Sequence, residues 1–93
     1  MPAFKLAHIR EQGQDMIFIP LDAAFGRLPF EDQTAQIAEL QARANSAGLA
    51  GLVVACWHEL SRWHFLGPPQ WRAFFESLPP EWISMNINRE LTW

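Results

Sequence analysis

The sequence has no tyrosine, one cysteine and one lysine. Each shortage excludes something. Cys56 alone can form no intramolecular disulfide, so this is not the cysteine framework of a small secreted scaffold. Lys5 stands with arginines scattered from Arg10 to Arg89, and the net charge is −3. A duplex-binding domain needs a basic face for phosphate neutralisation, so nucleic acid is disfavoured as a partner. No apolar run approaches the roughly 18–20 residues of a membrane-spanning helix. Polar and charged residues come too early for a signal peptide. The expectation is a protein of the cytoplasm with no membrane partner. Gly13, Gly26, Gly48, Gly51 and Gly67 form no phosphate-cradling motif, and Ser61 and Ser77 have no nucleophile-elbow context.

What is present is a core. The 93 residues fit a single domain over 1–93. Hydrophobic residues make up 49% and charged residues 18%, which is not a disordered composition. A domain this small buries only about two thirds of its unfolded surface, so its stability is modest or is helped by a partner chain. Five tryptophans and seven phenylalanines partly offset the size, because each can bury about 150–250 Å². Five tryptophans are hard to hide in so small a core, so some are expected at the surface or in an interface.

Periodicity sets the order of elements. Phe4, Leu6 and His8 alternate with Lys5, Ala7 and Ile9, as on a strand. A turn at 11–15 follows, with Gly13 free to take positive φ. The unbroken apolar run from Met16 to Ile19 reads as a strand buried on both faces, stopped by Pro20. These two segments should form a hairpin. After a loop around Gly26, a helix is expected from Phe30 to Ala47. Glu31 and Asp32 suit its first turn and Gly48 its end. Leu52 to Trp57 is a third, interior strand. Trp63 and Phe65, alternating with Arg62 and His64, make a short fourth strand after a turn at 58–61. Trp71, Phe74, Phe75 and Leu78 form the apolar stripe of a second helix begun near Pro69. The segment from Ile83 to Trp93 alternates like a strand, although Ile83, Ile87 and Leu91 also fit a helix. Strand is preferred because asparagine is poor in helix interiors.

The expected fold is therefore α+β, in the order β-β-α-β-(β)-α-β, with a mainly antiparallel sheet and two helices on one face. Ile37, Leu40, Val53, Val54, Phe74 and Phe75 should pack together in its core.

Three blocks, His8-Ile9-Arg10-Glu11-Gln12-Gly13, Ser46-Ala47-Gly48-Leu49-Ala50-Gly51 and Asn86-Ile87-Asn88-Arg89-Glu90-Leu91, resemble blocks in small uncharacterised bacterial proteins. The resemblance spans most of the chain. It implies a bacterial, accessory protein and carries over no functional residue.

No catalytic, metal or cofactor motif emerges from the residues. Cys56, His58 and His64, with Glu59, invite a metal reading, but their spacing fits no standard ligand pair. The bland alternative is a buried cysteine beside two solvent-facing histidines. Cys56 could be a nucleophile with His58, His8 or His64 as base. Its apolar run pushes against a thiolate. Arg89 interrupts the apolar face of the last segment, as an edge-strand charge that blocks sheet-to-sheet pairing would.

The stretch from Trp57 to Arg72 is the most distinctive. Tryptophan and arginine are enriched at binding hot spots. Trp57 and Trp71 sit on apolar patterns and read as core. His58, Arg62, Trp63, His64 and Arg72 are the candidate binding residues. The leading expectation is a small non-catalytic interaction or regulatory protein with a protein partner, which could be a second copy of itself. The alternative is a small-ligand or nucleic-acid module using Arg62, Trp63, His64 and Arg72. A Cys56-dependent enzyme is third.

Overall fold

The computed structural model describes residues 3–92. Strand β1 runs over Ala3–Glu11 and β2 over Gln14–Leu21. They meet antiparallel, with Glu11 opposite Gln14, so the turn is only Gln12 and Gly13, both at positive φ. Asp22 then caps a 3-10 turn at Ala23–Arg27 by accepting from the Ala24 amide. Helix α1 covers Phe30–Ser46. Its end is a Schellman closure: the Leu49 amide donates to Ala44 and the Gly48 amide to Asn45. Strand β3 (Leu52–Glu59) lies parallel to β2, and β4 (Arg62–Leu66) returns antiparallel beside β3.

A 3-10 turn at Pro69–Trp71 leads into α2 (Arg72–Glu76). The last segment divides. Trp82–Asn86 is a short helix, α3, and Arg89–Thr92 is β5, paired antiparallel with the start of β1. This corrects the preferred reading of a strand from Ile83 onward: Ile83 to Asn86 is helical, and strand begins only at Arg89. Asn88 makes the join. Its side-chain amide donates to the His8 carbonyl and accepts from the His8 amide, as a strand residue would. Trp93, counted in the alternation, lies outside the described residues.

The sheet order is β4-β3-β2-β1-β5. Three pairings are antiparallel and β2–β3 is parallel, which makes the domain α+β in the expected element order. The helices do not share one face, and this corrects the expectation. Leu6, Ile17, Ile19, Val53 and Leu91 pack under Leu40 and Ala44 of α1. Ala7, Met16, Phe18, Val54 and Cys56 pack under Phe75 of α2 and Ile83 of α3. Side chains alternate across a strand, so Val53 and Val54 necessarily enter different cores. The expected single cluster is therefore two: Ile37, Leu40 and Val53 on one side, Val54, Phe74 and Phe75 on the other. In the second core Phe18 meets Phe65, Phe75 and Trp82 edge-on at 6.1, 5.7 and 5.0 Å.

Strand β4 stops at Leu66, opposite Ala55, so the start of β3 lacks a strand on that side. Gln41 of α1 fills the gap. Its Nε2 donates to the Gly51 carbonyl and its Oε1 accepts from the Val53 amide, at 2.8 and 2.9 Å. The sheet thus ends at β4, with no further strand among the described residues paired to its outer side.

Candidate contact surface at the β3–β4 hairpin

The hairpin turns on Leu60 and Ser61, with φ of 56° and 64°. Glu59 opposes Arg62, so this is a two-residue turn with both central residues left-handed, the type I′ geometry. Asparagine and glycine suit those positions. A leucine there costs roughly 1–2 kcal/mol. Leu60 is also 85% exposed, so it recovers nothing by burial.

Alternation divides the hairpin's side chains. Trp57, Glu59, Arg62 and His64 lie on the α1 side of the sheet. Trp57 rests on Phe25 and stacks on His64, with centroids 5.7 Å apart and planes 15° apart. Gly26 permits this, because a Cβ there would overlap the indole nitrogen of Trp57. Arg27 Nη2 lies 3.3 Å from Glu59 Oε1. That oxygen is buried and meets the guanidinium as an ion pair without hydrogen-bond geometry. His64 Nε2 lies 3.3 Å from the Glu59 carbonyl oxygen. On the other side of the sheet, His58 packs on Trp63, centroids 5.3 Å apart, and Trp63 Nε1 donates to the Pro80 carbonyl.

The main chain supplies the remaining chemistry. In a two-residue hairpin the flanking residues exchange both hydrogen bonds, and pairs then alternate outward. Arg62, His64 and Leu66 therefore bond to β3. Trp63 and Phe65 turn their N–H and C=O groups away from the sheet. A cavity of about 270 Å³ wraps this open edge. Arg62 and His64 line it from one face, and Trp63, Arg72, Phe75 and Glu76 from the other. The structure thus brings Arg62, Trp63, His64 and Arg72 around one groove. His58 stays outside it, packed on Trp63.

Three further residues belong to this surface and were not singled out from the sequence. Glu76 pairs with Arg72 at 3.8 Å, one helical turn away, with both side chains mostly in water. Phe30, 68% exposed, borders a groove with Leu52, Leu66 and Pro68 at the far end of β4. Leu60 had one signal available, an apolar side chain in a tight turn.

The chemistry of the cysteine is unhelpful to catalysis. Cys56 is wholly buried, and burial pushes its thiol up to about 12. Cys56 and His58 face one side of the sheet, Glu59 and His64 the other. Among the described residues no three His, Cys, Asp or Glu side chains converge as metal ligands would. No described helix is long and apolar enough to cross a membrane. Comparison with family models, with curated proteins and with solved structures found no match.

Proposed function

We propose that this is a small interaction protein of the bacterial cytoplasm that works by contact with a protein partner along the open edge of β4. The observation that carries the reading is the edge itself. Trp63 and Phe65 present main-chain groups that pair with no strand among the described residues, beside a groove lined by Arg62, His64, Arg72 and Glu76. An exposed edge is a template for another strand, and proteins usually blunt it. The opposite edge, β5, is blunted: it has four residues, with Arg89 and Glu90 exposed on it. At the β4 edge, Arg62 and Arg72 are exposed and line the groove.

Two further facts favour contact over chemistry. Leu60 is held exposed in a backbone conformation that disfavours it, and strain of this kind concentrates where function requires it. Cys56 offers no thiolate near neutral pH. The reading is tested by stoichiometric association of tagged protein, wild type against the double variant Arg62→Glu, Arg72→Glu. Both side chains are exposed, so the variant should melt within a few degrees of wild type. It should lose the association. A variant that keeps it, with wild-type affinity, contradicts the reading.

A further inference from the structure

We propose that the occupant of the β4 edge is a second copy of this chain, paired antiparallel about a two-fold axis at His64. The proposal rests on the contact reading above and names its partner. An isologous contact requires a surface complementary to itself. Three features of the edge, read independently, have that property about the same point.

The first is the ladder. Trp63 and Phe65 carry the outward N–H and C=O groups of β4. Only a register that places Trp63 opposite Phe65 of the second copy satisfies both residues of both strands. That register puts His64 opposite itself, as a pair that exchanges no main-chain bonds. The second is apolar. Leu60 stands four residues before His64 and is 85% exposed. Pro68 stands four residues after it and walls the groove with Phe30 and Leu66. The two-fold axis sets each Leu60 at the level of the other copy's Pro68, a projecting side chain against an unfilled groove. The third is charge. Around α2, Arg72 borders the cavity at the Leu66–Pro68 end of β4, and Glu76 borders the one at the Ser61–Trp63 end. The same axis sets Arg72 against Glu76 of the second copy, twice. The result is one ten-stranded sheet with α1 and its copy on one face.

The register is tested by cysteine cross-linking with sedimentation equilibrium. In an antiparallel pair of this type the Cα atoms lie about 4.5 Å apart, inside the range a disulfide spans. His64→Cys should therefore form a covalent dimer under mild oxidation. Arg62→Cys should not, because the two copies of position 62 lie on opposite sides of the axis. The wild type, with Cys56 buried, is the control for background. Sedimentation of the wild type should show a monomer–dimer equilibrium, and Leu60→Asn should raise its dissociation constant about tenfold. A wild type that stays monomeric at high concentration overturns self-pairing, and so does a dimer in which position 64 fails to cross-link or cross-links no faster than position 62. Neither result touches the contact reading, which is decided by the arginine variant.

Discussion

The indole Nε1 of Trp63 donates to the carbonyl of Pro80 at 2.8 Å. This bond ties the β4 strand to the turn that precedes α3. It also makes Trp63 partly structural, because its ring packs on the core beneath α2 and α3. Trp63→Phe keeps most of the packing and loses the bond, a cost of about 1 kcal/mol. Trp63→Ala should cost about 2–3 kcal/mol, below the full-burial range because the ring is half-exposed. Chemical denaturation of both variants checks this. Equal stability for the two variants would show that the ring is not packed.

Leu60 and Ser61 give a prediction of mixed sign. The double substitution Leu60→Asn, Ser61→Gly supplies the residue types that type I′ turns favour. The monomer should gain about 1 kcal/mol or more by relief of the left-handed strain. Association should weaken at the same time, because the projecting leucine is gone. Melting and sedimentation on one preparation check both. A variant that is less stable than wild type would show that the leucine is not strained.

Gln41 is a single point of failure at the start of β3. Gln41→Ala leaves the Val53 amide and the Gly51 carbonyl without their partner. An unsatisfied buried main-chain group costs about 1–3 kcal/mol. The loss should appear in denaturant unfolding, with rapid amide exchange at Val53. An unchanged midpoint would mean that water replaces the glutamine without penalty.

Burial raises the Cys56 thiol to about 12, above its value in the unfolded chain. Between about 9 and about 12 the unfolded chain has lost this proton and the folded chain has kept it. The sign is therefore destabilising as pH rises: stability is intact below about 9 and falls through that window, by about 1.4 kcal/mol per unit. No tyrosine titrates alongside it. Cys56→Ala should flatten the alkaline slope. A slope unchanged by the substitution would assign the loss to another group.

The extent of what the residues disclosed follows from how side chains repeat. Helix α1 was legible from Glu31 and Asp32 at its start to Gly48 at its end, since each answers a local need of the helix. The two hairpins were legible as well, though each turn proved tighter than its polar stretch suggested. The assignment of helices to faces was not legible. A strand buried on both sides, such as Met16–Ile19 or Val53–Cys56, carries no alternation to say which core is which. Ile83 and Ile87 could not choose between helix and strand, because the choice is made by Asn88 gripping His8 across the sheet. Arg62, Trp63, His64 and Arg72 stood out by residue type. The open edge that unites them depends on strand order, which no local pattern encodes.

Amide hydrogen exchange at Trp63 and Phe65 tests the central claim most directly. These two N–H groups point out of the sheet, whereas those of Arg62, His64 and Leu66 are held by β3. In dilute solution Trp63 and Phe65 should exchange quickly and the other three slowly. On association both should become protected together, to a degree that follows the fraction associated. Fast exchange at Trp63 and Phe65 in the fully associated state, with protection arising elsewhere, would contradict the assignment of the β4 edge as the contact surface.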